Sequence, residues 1–228
     1  MLNKYQLVQR GVATALRVCR PTVTGRERFP LEGPVIIASN HLSFLDSVII
    51  SAMMPRRVKF FAKSEYVTTP GLKGRAMRRL FDLIDIIPVT RGQHSESVAA
   101  LDPALEHLCE GGVFGIYPEG TRSRDGYLYR GHTGVAYLAY RTGAPVVPVG
   151  LVGTQRLQPP GARLVRPAHF ELHVGEPLRV PRAPESHNGR MRKELVERVM
   201  SAIAQLSGQP RKDTYNVSPS LKKDTGRG

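Results

Sequence analysis

Short apolar runs alternate with stretches of helical periodicity along most of this chain, and that alternation restricts the fold more than any other feature. The runs predict strands at residues 35–39, 58–62, 86–89, 113–117, 146–152 and 170–174, the last with the alternation of an edge strand. Helices are predicted at residues 43–54, 72–83, 95–109, 135–140 and 191–206. Strands alternating with helices indicate the α/β class, and wholly apolar strands indicate a sheet covered on both faces. We therefore expect a single domain with a mainly parallel central sheet and helices on both faces.

The two ends of the chain differ from this pattern. Residues 1–20 carry apolar side chains at helical spacing, with a basic polar side, which predicts an N-terminal amphipathic helix that Pro21 ends. This helix could lie on a membrane or pack on the core, and the sequence favours neither. Residues 21–206 are the predicted α/β domain, and the polar, basic residues 207–228 are predicted to be a disordered tail. No stretch approaches the ~20 apolar residues of a membrane-spanning helix, so membrane contact is expected to be peripheral.

The charge of the chain favours polyanionic partners. Lys and Arg number 33 against 19 Asp and Glu, a formal net charge of +14. Nucleic acid, an anionic membrane and phosphorylated substrates all fit such a balance. Trp is absent and aromatic residues make up 7% of the chain, which disfavours a groove for single-stranded nucleic acid, where bases stack on aromatic rings. Cys19 and Cys109 lie in no CxxC pair and near no His cluster, so neither a disulfide framework nor a metal site is predicted.

The first segment with chemical potential is Asn40-His41-Leu42-Ser43-Phe44-Leu45-Asp46, which follows the first predicted buried strand. Sites in α/β sheets collect at the carboxyl ends of strands. Positions five apart do not share a face of a helix, so His41 is expected in the turn and Asp46 in the first helical turn. There the carboxylate could fix the tautomer of the imidazole and leave its other nitrogen as a base. A structural alternative is a capping box, in which Ser43 caps the helix and Asp46 reaches back.

The second segment is Tyr117-Pro118-Glu119-Gly120-Thr121-Arg122-Ser123, again directly after a buried strand. The glycine lets backbone approach a ligand, and Arg122 suits a two-pronged grip on phosphate. The alternative is a polar turn whose Glu119 and Arg122 pair in solvent. Nearby, His132 is interpreted as a turn residue before a helix.

These two segments, together with 86–92 and 146–150 and in this order, resemble the glycerophospholipid acyltransferase family, the bacterial 1-acyl-glycerol-3-phosphate acyltransferases in particular. The resemblance runs from about residue 35 to residue 152, and Tyr117 stands where Phe is usual. It implies that His41 is the general base and Asp46 its partner. It also implies residues that bind the substrate and its phosphate: Lys63, Arg91, Glu119, Gly120, Thr121 and Arg122. The Val147-Pro148-Val149 block is implied to line the site.

The resemblance implies an enzyme of phospholipid biosynthesis that moves a fatty acyl group from a thioester to a glycerophosphate lipid. The thioester of coenzyme A or of acyl carrier protein is the co-substrate, and no cofactor or metal is expected. The partners are then a membrane lipid acceptor and an anionic membrane surface, without nucleic acid, at the cytoplasmic face of the cell membrane. Two alternatives stay open: another acceptor, such as glycerol-3-phosphate, another lysophospholipid or a glycolipid, and a non-catalytic basic module that binds membrane or nucleic acid.

Overall fold

A seven-stranded sheet forms the centre of the described part of the chain. The computed structural model describes residues 4–63, 86–89, 98–159, 162, 164–183 and 188–217. Within these residues the strands are β1 (Thr22–Thr24), β2 (Val35–Ser39), β3 (Val58–Lys63), β4 (Ile86–Val89), β5 (Val113–Ile116), β6 (Val146–Val152) and β7 (Glu171–Val174). Their order across the sheet is β1-β7-β6-β2-β5-β3-β4.

The sheet is mainly parallel, as predicted. Strand β2 pairs in parallel with β5 on one side and β6 on the other, and β3 continues in parallel with β5 and β4. Strand β7 runs antiparallel to β6, and β1 pairs in parallel with β7. The alternation of residues 170–174 had suggested an edge strand, but β1 covers that edge. The sequence Thr-Val-Thr of β1 is too short to give a periodic signal.

Helices cover both faces of the sheet, as expected. The helices are α1 (Lys4–Leu16), α2 (Asp46–Met53), α3 (Asp102–Cys109), α4 (Gly134–Thr142) and α5 (Gly189–Ser207). One core contains apolar side chains of α3, α4 and α5 with Ile36 and Phe114 from the sheet. The opposite core contains Ile49 and Ile50 of α2 with Ile37 from the sheet. Side chains of β2 thus alternate between two dry layers, which explains why the whole strand reads as apolar.

The N-terminal helix packs on the domain through α2. The side chain of Gln9 donates to the backbone carbonyls of Ser51 at 2.9 Å and Met54 at 2.7 Å, at the end of α2. Cys19 is buried in the core, while Leu7 is 59% exposed. The core-packing alternative is therefore the one that the structure shows for this face of the helix.

Helix α5 crosses the sheet with its C-terminal end directly against β6. A Cβ at Gly150 would lie 2.6 Å from the carbonyl carbon of Leu206 and 2.7 Å from the backbone nitrogen of Ser207. No rotamer change relieves a contact with backbone, so only glycine allows this approach. Gly150 therefore sets where α5 ends and where the following residues begin.

The predicted disordered tail differs from the structure for residues 208–217. These residues pair with the segment around Leu128 through backbone hydrogen bonds, which composition does not reveal. Residues 218–228 and the predicted helix at 72–83 lie outside the described residues. In the described ranges, no helix combines the length and apolar character needed to cross a membrane.

Candidate active site

The segment 40–46 lies at a point where the chain reverses its direction of travel across the sheet. Strand β2 leads into α2 on one face, and its parallel neighbour β5 leads into α4 on the other. Because the two connections leave on opposite faces of the sheet, a crevice opens at the carboxyl ends of these strands. Such a crevice is the usual place for a site in this kind of sheet. Both segments singled out in the sequence begin at this crevice, one after each strand.

His41 and Asp46 form a hydrogen-bonded pair there. Nδ1 of His41 lies 2.8 Å from Oδ2 of Asp46. The same oxygen accepts the backbone N–H groups of Leu42 and Ser43, each at 2.7 Å. Asp46 is fully buried, whereas the His41 side chain keeps 18% of its surface exposed. The carboxylate therefore holds the turn and the ring together and leaves the ring open to a ligand.

The acceptor in this pair fixes the tautomer of the imidazole. An ionised carboxylate only accepts hydrogen bonds, so Nδ1 of His41 carries the proton that it shares with Asp46. Nε2 then holds a lone pair, and no described residue donates to it. A nitrogen in that state can take a proton from a ligand hydroxyl.

Asp46 makes both the helix-capping contact and the contact with the His41 ring that the sequence allowed. Helix α2 begins at Asp46, whose carboxylate reaches back to the N–H of Ser43, as in a capping box. The hydroxyl of Ser43 accepts from the N–H of Leu45 at 3.2 Å, one residue earlier than the N–H of Asp46 that a full box requires. Asp46 thus orders the turn and orients His41 at once.

A ring column supports the imidazole from its other side. The rings of His41 and Tyr117 are stacked, with centroids 3.9 Å apart and planes 10° apart, and Phe60 stacks beyond at 5.6 Å. The hydroxyl of Tyr117 lies 2.8 Å from the hydroxyl of Ser47 in α2. Burial and the nearby Asp46 carboxylate raise the pKa of Tyr117 well above its usual value, which keeps it neutral. Tyr117 therefore restrains the plane of the ring without adding charge.

Asn40 anchors the start of the turn to the neighbouring strand. Its buried amide exchanges two hydrogen bonds with the backbone of Leu151 in β6, both at 2.8 Å. The side chain thereby continues the pairing of β2 and β6 one residue past the end of β2. The position of the His41 backbone is fixed by this extension of the sheet.

Glu119 is a buried brace between two segments of the site. One carboxylate oxygen accepts the N–H of His41 at 3.3 Å, and the other accepts the N–H of Tyr129 at 3.0 Å. Its side chain is fully buried, so the solvent-exposed pair with Arg122 is not what the structure shows. Burial raises the pKa of Glu119 to about 7, although the two backbone donors oppose the shift. A direct contact between Glu119 and substrate stays a prediction.

The turn 120–123 lies beside the backbone of His41. Gly120 adopts a left-handed conformation with φ of 73°, and a Cβ there would lie 3.3 Å from the ring of His132. The N–H of Ser123 donates to the carbonyl of His41 at 2.8 Å. Thr121 and Arg122 are therefore held between two attachments to His41, one through Glu119 and one through Ser123. Their contact with a phosphate stays a prediction.

The other residues that the sequence predicted for the site lie partly outside it or outside the described part of the chain. The backbone of Lys63 ends β3 at the same edge of the sheet as the site, and Arg91 lies outside the described residues. Val147 and Val149 are fully buried in the core beneath α2 instead of lining the site, because β6 is an inner strand. His132 lies at the edge of the site, where its ring stacks on Tyr215 at 4.8 Å.

A family model of acyltransferases matches residues 20–152, more than half of the chain, including both segments of the site. The chain belongs to the Acyltransferase family. Its fold is that of the crystal structure of the 1-acyl-sn-glycerophosphate acyltransferase PlsC from Thermotoga maritima, with a TM-score of 0.68 and 26% identity. The match covers 89% of this chain and 79% of that one.

Two relatives from a plant and a bacterium share one enzyme name. The chloroplast 1-acyl-sn-glycerol-3-phosphate acyltransferase of Brassica napus is 33% identical over 61% of this chain and 39% of its own length. The Bacillus subtilis 1-acyl-sn-glycerol-3-phosphate acyltransferase is 28% identical over 68% of this chain and 72% of its own. The chain thus spans well under two thirds of the Brassica relative and most of the bacterial one.

Sequence reasoning missed several contributors to the candidate site. The motif that contains Asn40 predicts no role for it, and the difference of Tyr117 from the usual Phe predicts no contact with His41. Gln209, Tyr215 and Asn216 were placed in a disordered tail, yet all three contact the site. A Gly-x-Pro sequence at 208–210 marks the end of a helix, but no pattern there indicates where the chain goes next.

The raised pKa of Glu119 predicts a stability that depends on pH. A carboxyl group with a folded pKa of about 7 and an unfolded value near 4.5 stabilises the fold fully below about pH 4.5 and loses that contribution as the pH rises through 7. The size is on the order of 3 kcal/mol. Glu119→Gln keeps the size of the side chain and removes the titration. The free energy of unfolding of the wild type, measured from pH 5 to 8 by urea denaturation, should therefore fall relative to that of the variant; parallel curves would contradict the assignment.

Proposed function

We propose that this acyltransferase transfers a fatty acyl group from a thioester to the hydroxyl of 1-acyl-glycerol-3-phosphate and so forms phosphatidic acid. The observation that carries the proposal is the His41–Asp46 pair, held at 2.8 Å beside the turn that contains Arg122. The names of the plant and bacterial relatives support the same reaction, which we assign to phospholipid biosynthesis because its product is a phospholipid.

The proposed chemistry begins with proton removal by His41. A glycerol hydroxyl is too weak an acid to attack unaided, so Nε2 takes its proton as the oxygen bonds to the thioester carbonyl carbon. The Asp46 carboxylate stabilises the imidazolium that results. When the carbon–sulfur bond breaks, the imidazolium returns the proton to the thiolate. His41 therefore ends the cycle in its starting protonation state, and the proposed reaction needs neither an acyl-enzyme nor a metal ion.

Positioning of the acceptor falls to the phosphate-contacting residues. Arg122, with Gly120 and Thr121, would hold the acceptor phosphate beside His41, and Lys63 and Arg91 would add positive charge. Fixing the phosphate places the hydroxyl within reach of the base, which lowers the entropic part of the barrier. The donor is proposed to be the thioester of coenzyme A or of acyl carrier protein.

Replacement of the base should remove catalysis without unfolding the protein. We expect His41→Ala to lower turnover by ~10²–10⁴-fold, the usual contribution of a positioned general base. The assay is release of thiol from an acyl thioester, with 1-acyl-glycerol-3-phosphate, glycerol-3-phosphate and a monoacylglycerol as acceptors. A folded His41→Ala protein with wild-type turnover would remove His41 from the mechanism. Turnover with the monoacylglycerol alone would reject a phosphate-bearing acceptor.

We also propose that the protein binds peripherally at the cytoplasmic face of the cell membrane. An apolar groove of about 350 Å³ runs from Val18 and Val165 at the surface to Leu45, the residue before Asp46. Val18 is 67% exposed and Val165 58%, and neighbouring Leu164 is 82% exposed. Arg17, Arg20 and Arg166 are exposed in the same segments, and the whole chain carries +14. Basic residues beside apolar ones suit an anionic lipid surface.

A matched pair of leucines tests this membrane face. Leu164→Glu should weaken flotation with anionic vesicles by about tenfold, because a charge replaces an apolar side chain at the lipid surface. Leu31 is 70% exposed but precedes β2, so it lies near the amino end of that strand, whereas the site lies at its carboxyl end. Leu31→Glu should therefore bind anionic vesicles like the wild type. Equal losses in the two variants would reject this face as the docking surface. Wild-type binding that is as strong to neutral vesicles would reject the electrostatic contribution.

A further inference from the structure

The chain after α5 returns to the site as an ordered segment, residues 209–216, here called the C-terminal strap. The N–H of Gly208 bonds to the carbonyl of Ala204 at 2.9 Å and ends the helix. The strap then runs beside residues 128–130. Leu128 donates to the carbonyl of Pro210 at 2.9 Å, Lys212 donates to the carbonyl of Leu128 at 2.9 Å, and Arg130 donates to the carbonyl of Thr214 at 3.0 Å.

The first residue of the strap joins the two halves of the site. The side-chain oxygen of Gln209 accepts from the amide of Asn40 at 2.7 Å, and its nitrogen donates to the carbonyl of Gly126 at 3.0 Å. Asn40 is fully buried and precedes His41. Gly150 lets α5 end against β6, and that close approach is what brings Gln209 within reach of Asn40. The strap therefore begins at the turn that carries the proposed base.

The last residues of the strap reach the turn around Arg122. The amide of Asn216 donates to the carbonyl of Arg122 at 3.2 Å. The ring of Tyr215 stacks on the ring of His132, which lies beside Gly120. The backbone N–H of His132 donates to the carbonyl of Pro118 at 2.8 Å. The strap thus contacts the phosphate-contacting turn at Arg122 directly and at Gly120 through His132.

An ion pair fixes the middle of the strap to the same turn. Nζ of Lys212 lies 2.7 Å from Oδ2 of Asp125, and the hydroxyl of Ser123 donates to Oδ1 of that carboxylate at 3.3 Å. The hydrogen bond from Lys212 lowers the pKa of Asp125 to about 2. Ser123 also donates its N–H to the carbonyl of His41. One charge of the strap is thereby linked through two residues to the backbone of His41.

We propose that the C-terminal strap is part of the active site and that Asn216 is a positioning residue, which holds the backbone at Arg122 where its side chain meets the acceptor. The inference rests on the proposed function. Asn216 binds the carbonyl of Arg122, and His41 binds the N–H of Ser123, so the two contacts hold opposite sides of the one peptide group that follows Arg122. Without Asn216 that peptide group keeps only the hydrogen bond to His41 and can tilt about it, which shifts Arg122. Such a shift weakens the grip on the phosphate and leaves the proton transfer at His41 in place.

Kinetics that separate acceptor from donor test the strap. Asn216→Ala should raise the acceptor KM about fivefold, which corresponds to one hydrogen bond, and leave the donor KM within about twofold. Asn216→Asp, which turns an oxygen toward the carbonyl of Arg122, should raise the acceptor KM further. A chain that ends at Val217 keeps the strap and should retain the wild-type acceptor KM.

A second asparagine on the neighbouring helix gives a control for stability. Asn188 caps α5 by accepting from the N–H groups of Arg190 and Met191, both at 3.0 Å. Asn188→Ala should lower the melting temperature without changing either KM, because it lies at the end of α5 far from the strap. If Asn216→Asp has the acceptor KM of Asn188→Ala, or if donor and acceptor KM rise together, the strap has a structural role only and the inference is wrong. A folded wild type without turnover on any phosphate-bearing acceptor would reject the proposed function, and the inference with it.

Discussion

One oxygen atom, Oδ2 of Asp46, organises the site. It accepts three hydrogen bonds, two from the backbone of the turn and one from the ring of His41, and it does so in a place without exposure to water. A buried carboxyl group is costly unless it is hydrogen-bonded, and these three donors offset part of that cost. The same bonds start α2 and set the tautomer of the imidazole. Fold and proposed chemistry therefore depend on one interaction.

Hydrogen bonds to the backbone of His41 and of the preceding residue hold the rest of the site around that interaction. Glu119 holds its nitrogen, Ser123 holds its carbonyl, and Asn40 ties the preceding residue to β6. Tyr117 restrains the ring itself. Tyr117, Glu119 and Ser123 come from the segment after β5, and Asn40 binds β6, so the position of His41 depends on both strands that flank β2. A proposed base placed in this way needs little reorganisation when a substrate arrives.

Much of this arrangement follows from sequence. The strands β2, β4 and β6 have the predicted bounds because their residues are apolar throughout. In β2 and β6 that signal results from burial on both faces of the sheet. The places of His41 and Asp46, one in the turn and one in the first turn of the helix, followed from their spacing alone. The proposed roles of both residues came from the resemblance, since geometry without a family is equally consistent with a helix cap.

Other features could not be predicted because they depend on tertiary contacts. Glu119 is polar and was expected to meet a ligand, but its partners are backbone N–H groups of His41 and Tyr129, which no motif encodes. The strap is polar and basic like a disordered segment, and its order comes from backbone pairing with residues 128–130 and from Gly150 beneath α5. A composition shared with disordered chains does not exclude order when a neighbouring segment supplies the hydrogen-bond partners.

The nitrogen-15 chemical shifts of the His41 imidazole at neutral pH test the central claim most directly. The signals can be identified among the seven histidines by their loss in His41→Gln. We expect a protonated Nδ1 and an unprotonated Nε2 in the wild type, and the loss of that preference in Asp46→Asn. A wild-type ring with its proton on Nε2 would contradict this expectation, because the nitrogen that faces the acceptor would then have no lone pair with which to take a proton.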